Sequence, residues 1–228
     1  MNIHLLATGD SAHATAERLA AVLKAEGDAT RIDDATGPHR VNPSLWPHPD
    51  LRIVIAWRES RALMEAVDRS SAETGVPYTQ AVFAHPRLRV GPTIIPGSHG
   101  GPSNTTGGCR ICFERRQLQH DAAAAKAEPL WNLYDQDETA GPQGFLPHHV
   151  SMATALLADV VRNLREGRID DERNIVRAVH LLHGTTHRSE LIPVHGCTRC
   201  GVAHQDSTWA DLASELATTE TTRSLSHV

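Results

Sequence analysis

The sequence predicts an α/β fold: a doubly wound, mostly parallel sheet with a helical and hairpin C-terminal part fastened back onto it. Three features of the chain predict this. Short β-branched apolar runs alternate with segments of helical period from residue 2 to residue 95. A long amphipathic stretch and a hairpin-like stretch follow them. Two Cys-x-x-Cys pairs, one before those later segments and one after, offer the fastening. The implied division is an α/β unit over 1–97, a fastened part over 98–205 and a tail over 206–228.

The elements follow in order. NIHLLA (2–7) is an apolar run ending in Thr8-Gly9-Asp10 and predicts the first strand. In SAHATAERLAAVLKAEG (11–27), Ala12, Ala16, Leu19, Ala20 and Leu23 recur at helical spacing, and Gly27 ends the helix. DATRIDD (28–34) reads as a strand, and a polar, proline-dotted loop with Trp46 runs over 35–50. LRIVIAW (51–57) is the strongest strand signal in the chain. RESRALMEAVDRSSAETG (58–75) sets Leu63, Met64, Val67 and Ser71 on one helical face and closes at Gly75. PYTQAVF (77–83) and RLRVGPTII (87–95) are two further strands. Such alternation is expected to build a parallel sheet with helices on its faces.

Past a glycine-rich loop, CRICFERRQLQHDAAAAKAE (109–128) predicts one charged helix. LPHHVSMATALLADVVRNLREG (146–167) predicts a long amphipathic helix through Val150, Ala153, Leu157, Val160, Val161 and Leu164. ERNIVRAVHLLHGTTHRSELIPV (172–194) alternates apolar and polar residues and predicts a hairpin turning near Gly184. The last stretch, 206–228, reads as a weak helix and a Thr/Ser-rich tail expected to be mobile.

The four cysteines, Cys109, Cys112, Cys197 and Cys200, form two C-x-x-C knuckles. In a reducing compartment, paired knuckles read as a tetrahedral four-thiolate zinc site rather than as disulfides. A two-residue spacer lets both thiolates of a knuckle face one ion. Glycines (Gly107, Gly108, Gly196, Gly201) permit the turns, while Arg110 and Arg199 are expected to offset the thiolate charge. A thioredoxin-like redox pair is the competing reading, but neither knuckle opens a helix after a strand in that pattern. The gap between knuckles exceeds zinc-finger spacing, so the expected ion is a staple between distant parts of the chain. Four protein ligands leave no open position for a reacting water, which assigns the zinc a structural role.

Composition narrows the function. The chain has 228 residues, a formal net charge of −5 and 15 histidines. Nothing in that balance points to nucleic acid or an anionic membrane surface. The N-terminus lacks the basic and apolar regions of a signal peptide, and no run reaches the apolar length of a membrane helix. A cytoplasmic protein is expected.

The βαβ start, DLRIVIAW, GVPYTQAVF, VGPTIIPG…GGCRICF and HGCTRCG together resemble the ubiquitin-activating and ThiF-like superfamily. VGPTIIPG and CRICFERR, with Trp131 in the segment after them, are more similar to one branch of it. That branch comprises the ThiF-like partner proteins of cyclodehydratases in azole-modified (TOMM) peptide biosynthesis, the precursor leader peptide-binding family. The resemblance spans about residues 2 to 201. It implies a non-catalytic partner of a YcaO enzyme. YcaO uses ATP to activate backbone amides so that Cys, Ser or Thr side chains cyclise, and the partner binds or presents the precursor peptide. Family members often begin with a winged-helix leader-recognition element. This chain begins at its first strand, so a separate leader-recognition protein is expected.

The superfamily's adenylating members need a glycine-rich turn after the first strand, so that backbone can approach phosphates at a helix N-terminus. Here the turn is Gly9-Asp10-Ser11-Ala12-His13-Ala14, with one glycine and an aspartate. ATP is therefore not expected to bind there. The alternative is an adenylating enzyme acting on a peptide or carrier-protein C-terminus. Asp33-Asp34 reads as a loop cap rather than a ribose site, while His148-His149 invites a metal reading, as does the trio His180, His183 and His187. His180 and His183, three apart in a predicted strand, are expected on opposite faces. Neither they nor His187 are expected to bind metal. His195 beside the second knuckle has no vacancy to fill. Arg115-Arg116 reads as either a contact for an acidic leader or the start of a solvated helix.

Overall fold

The computed structural model describes residues 1–37, 41–96, 107–120, 124–142, 144–197, 199 and 200. Most of the glycine-rich loop and the helix and tail expected over 206–228 lie outside the described residues.

Seven strands form one sheet in the order β2-β1-β3-β4-β5-β6-β7. β1 (Asn2–Thr8) lies between β2 (Ala29–Asp34) and β3 (Leu51–Ala56), both parallel to it, with Leu5 level with Ile32 and Ile53. β4 (Tyr78–Val82) continues the parallel set beside β3. β5 (Arg87–Val90), β6 (Ile175–His180) and β7 (Thr186–Glu190) then pair antiparallel, each to its neighbour. β1 to β4 and β6 therefore point one way, and β5 and β7 the other. The expected parallel run stops at β5 for a geometric reason. Only residues 83–86 join it to β4, whereas a parallel crossover needs a dozen or more. The predicted hairpin forms around Gly184 and extends the same sheet.

Helices cover both faces. α1 (Asp10–Ala25) and α5 (Pro147–Arg165) pack together over one face, where Leu19, Leu23, Leu157 and Val161 meet Leu5, Ile53 and Ile55. α2 (Arg61–Thr74) and α3 (Arg110–His120) lie on the other, where Leu63, Met64, Val67 and Cys112 meet Leu6 and Val54. Both faces of β3 are thus dry, which is why LRIVIAW reads as a continuous apolar run rather than an alternation. The helix expected over 109–128 is two: α3 and α4 (Ala124–Gln136). α4 continues past Pro129, and Trp131 on it is buried with the Arg61 guanidinium over its ring. Tertiary contact overrides the proline stop signal. The short α6 (Ile169–Glu172) leads into β6, and its fully buried Glu172 accepts two 2.7 Å hydrogen bonds from Arg177.

The VGP turn that ends β5 has a steric explanation. Gly91 has φ +94°, and a Cβ there would lie 2.1 Å from the Ile175 carbonyl oxygen of β6. Among the described residues no helix is long and apolar enough to cross a membrane.

Candidate metal centre

The two knuckles meet. Cys109 lies just before α3 and Cys112 in its first turn, while Cys197 and Cys200 follow β7. Their Sγ atoms all lie within 4.8 Å of one another: Cys109 to Cys112 3.8 Å, Cys109 to Cys197 3.6 Å and Cys112 to Cys200 3.6 Å. Thiolates about 2.3 Å from a tetrahedral zinc would stand about 3.8 Å apart, so the donor set and its spacing fit that ion. Cys109, Cys112 and Cys197 are buried and Cys200 is half-buried. All four thiols are free of disulfides.

The local electrostatics favour thiolate at one corner and oppose it at another. Burial raises the Cys197 thiol, but N–H groups of Cys200 and Arg199 and the neighbouring thiols outweigh it and bring the pKa to about 7. Burial pushes Cys109 strongly the other way. The Val194 N–H adds a 3.3 Å hydrogen bond to Cys112 Sγ. Backbone donors therefore offset the sulfur charge, a duty the sequence assigned to the flanking arginines. Arg110 pairs instead with Glu114 at 2.8 Å, and Arg199 with Asp68 of α2 at 3.2 Å, tying the second knuckle to that helix.

A second region sits at the C-terminal ends of β1 and β3, where the chain order reverses and α/β sheets usually take ligands. Gly9 caps α1 with φ 79°, and a Cβ on it would lie 2.6 Å from the Trp57 ring. Trp57 thus lies across the turn on which a phosphate would rest. Arg58 stacks on both Trp57 and Tyr134, and its guanidinium donates to the carbonyls of Tyr134 (2.6 Å) and Ala140. The segment after α4 is thereby drawn over the crevice. What remains is a cavity of about 280 Å³ bordered by Asp10, Trp57, His85 and Glu138.

The remaining candidates resolve into structural roles. Asp34 accepts from the Thr36 N–H at 2.9 Å and lies 3.3 Å from His13, so it caps the loop as read. Asp33 bonds His4 and Arg31. His180 ends β6, and the turn brings His183 back onto it with ring centroids 4.4 Å apart. Their expected placement on opposite faces fails because the strand ends between them. His148 and His149 form an edge contact at 4.3 Å, and His149 is buried. Arg115 is exposed, while Arg116 reaches the carbonyls of Ile192 and Pro193 before the second knuckle. No other metal-capable cluster of His, Cys, Asp or Glu occurs among the described residues.

Two groups escaped the sequence reading. Arg52, 1 % exposed, donates to His4 Nδ1, Ser70 and the Pro47 carbonyl beneath Trp46. Arg89, also buried, holds Glu59 with both guanidinium nitrogens and lies over Phe113. A charged residue inside LRIVIAW was the available signal for the first.

Neither a family model nor a curated protein matches the sequence. Solved structures do. A heterocyclase in complex with substrate and cofactor superposes with a TM-score of 0.61 at 14% identity, covering 88% of this chain and 25% of that one. The E. coli microcin synthetase McbBCD complex gives 0.59 at 13% identity, covering 86% and 67%. The microcin C7 biosynthetic enzyme MccB, in complex with N-formylated MccA, gives 0.58 at 14%, covering 88% and 67%. This chain spans about a quarter of the length of the heterocyclases it matches. At these identities the likeness shows that the chain has the α/β fold of these heterocyclase and microcin-synthesis proteins.

Proposed function

We propose that this chain is a non-catalytic, ThiF-like partner of a YcaO cyclodehydratase in azole-modified peptide biosynthesis. It binds or presents the precursor peptide while YcaO performs the ATP chemistry. Cys109, Cys112, Cys197 and Cys200 hold a structural zinc that joins α3 to the segment after β7. Zinc supplies cross-linking here, since four sulfurs complete its coordination.

The observation that carries this reading is the crevice above Gly9. A nucleotide phosphate needs open backbone N–H groups and positive charge. This turn offers Asp10, with Glu138 bordering the same cavity and the Trp57 ring across the glycine. The likeness to a heterocyclase and to a microcin synthetase supports the same pathway class. The alternative is an adenylating enzyme acting on a peptide or carrier C-terminus. Exchange of labelled pyrophosphate into ATP separates the two. The purified chain, offered the precursor peptide, should show none, and it should co-purify with the YcaO protein. Robust exchange would establish the adenylating enzyme instead.

A further inference from the structure

Among the described residues, the helix layer on the α2–α3 side reaches only the edge of β5, through Phe113, and no helix covers β6 and β7 on that face. Beneath those strands, Leu88, Val90 and Val179 join the core under α1 and α5. On the opposite face a groove of about 570 Å³ lies open between α3 and the segment after β7. Its lining is partly apolar: Val176 and Ala178 of β6, Phe113 of α3, and Leu191 and Ile192, the last 66% exposed.

Its charge is opposite in sign to that of the chain. Arg87 is exposed and has no ion-pair partner among the described residues. Arg116 donates to the carbonyls of Ile192 and Pro193 and to Gln119 Oε1, neutral acceptors that orient its guanidinium without neutralising it. Arg89 is already matched by Glu59, and Glu190 is the one carboxylate on the lining. Two uncompensated guanidinium groups therefore flank an apolar surface on a molecule of net charge −5. The groove also continues: Ala84, His85 and Gln117 border both it and a neighbouring cavity of about 260 Å³ that holds Lys126 and Arg58.

We infer that this trough docks an extended peptide segment in which acidic and apolar side chains alternate, its carboxylates meeting Arg87 and Arg116. Guanidinium groups favour the planar carboxylate, and the apolar lining takes the intervening side chains. That lining favours peptide over a nucleic-acid backbone, which offers charge without apolar side chains. The inference deepens the presentation role proposed above, but the groove is tested without YcaO.

The test measures fluorescence anisotropy of the full chain with a labelled peptide alternating glutamate and leucine. Glutamine and lysine counterparts and an unlabelled RNA oligonucleotide serve as comparisons. The acidic peptide should bind, with affinity roughly tenfold weaker for the glutamine version and for Arg87→Glu, as expected for losing one partly exposed charge pair. Arg87→Glu should in turn gain affinity for the lysine peptide. Arg87 is exposed and makes no ion pair among the described residues, so this variant should keep the fold; Ile192→Glu, at an exposed apolar position, should weaken the acidic peptide as well. Equal binding of all three peptides, no binding, insensitivity to Arg87→Glu, or displacement by the RNA would each overturn the assignment. Azole formation that is independent of the chain, with this binding intact, would count against the presentation role and not against the groove.

Discussion

Arg52 shows how one residue constrains its neighbours. It lies in the core without a carboxylate partner among the described residues, and burial lowers its pKa to about 10, so it stays protonated at neutral pH. Its Nε donates to His4 Nδ1 at 3.2 Å, which requires that nitrogen to be a lone-pair acceptor. His4 therefore carries its proton on Nε2, facing Asp33 at 3.0 Å. Burial depresses the His4 pKa, and Arg52 depresses it further against the opposing pull of Asp33. The unfolded chain then binds more protons than the folded one in the window below about 6.5. Folding stability should fall as pH drops through that window, and His4→Gln, which keeps an acceptor but cannot charge, should flatten the loss. Urea titrations at a series of pH values measure it. An unchanged slope in His4→Gln would remove His4 from the account. None of this was legible beforehand, because a lone arginine in an apolar strand does not say which groups will surround it.

At the level of elements, periodicity located most strands and helices, while their directions and junctions came from connections and contacts. The hairpin over 172–194 was readable because its apolar alternation and Gly184 turn are local signals. The antiparallel turn into β5 was not, since RLRV looks the same in either direction; the short 83–86 link was the clue. The start of α4 fell within the charged helical stretch read over 109–128, but its run past Pro129 and the burial of Trp131 are tertiary facts. Arg58 is the fastener of that region, joining the β3 end to Tyr134 and Ala140. Arg58→Ala should free the segment after α4. The expected cost is about 1–3 kcal/mol, from lost charged hydrogen bonds to backbone. Hydrogen exchange should speed up over 134–142 while the parallel strands stay protected. Equal protection in the variant would show that other contacts hold the segment.

Across the whole molecule, the meeting of the four cysteines was the most legible feature. Paired C-x-x-C knuckles convey a long-range contact, and the structure brings Cys109 beside Cys197 across 88 residues of sequence. The turn after β1 was readable as Gly9 followed by Asp10, but the Trp57 ring across Gly9 depended on packing. Structural zinc contributes on the order of 10–16 kcal/mol in small peptides, against a net stability of about 5–15 kcal/mol for a domain. Cys197→Ser should therefore lose metal, and the segment after β7 should become protease-sensitive. Elemental analysis of the parent should give about one zinc per chain. A zinc-free variant of unchanged stability would refute the staple.

The central claim is that this chain positions a peptide for another enzyme's chemistry. Reconstituted heterocyclisation tests it most directly: the YcaO protein and precursor peptide with ATP, with and without this chain, scored by the loss of water from the precursor in mass spectra. Positioning alone contributes several kcal/mol to a reaction barrier, so omission should cut azole formation by orders of magnitude and leave ATP hydrolysis with YcaO. Equal water loss in both reactions would contradict the account.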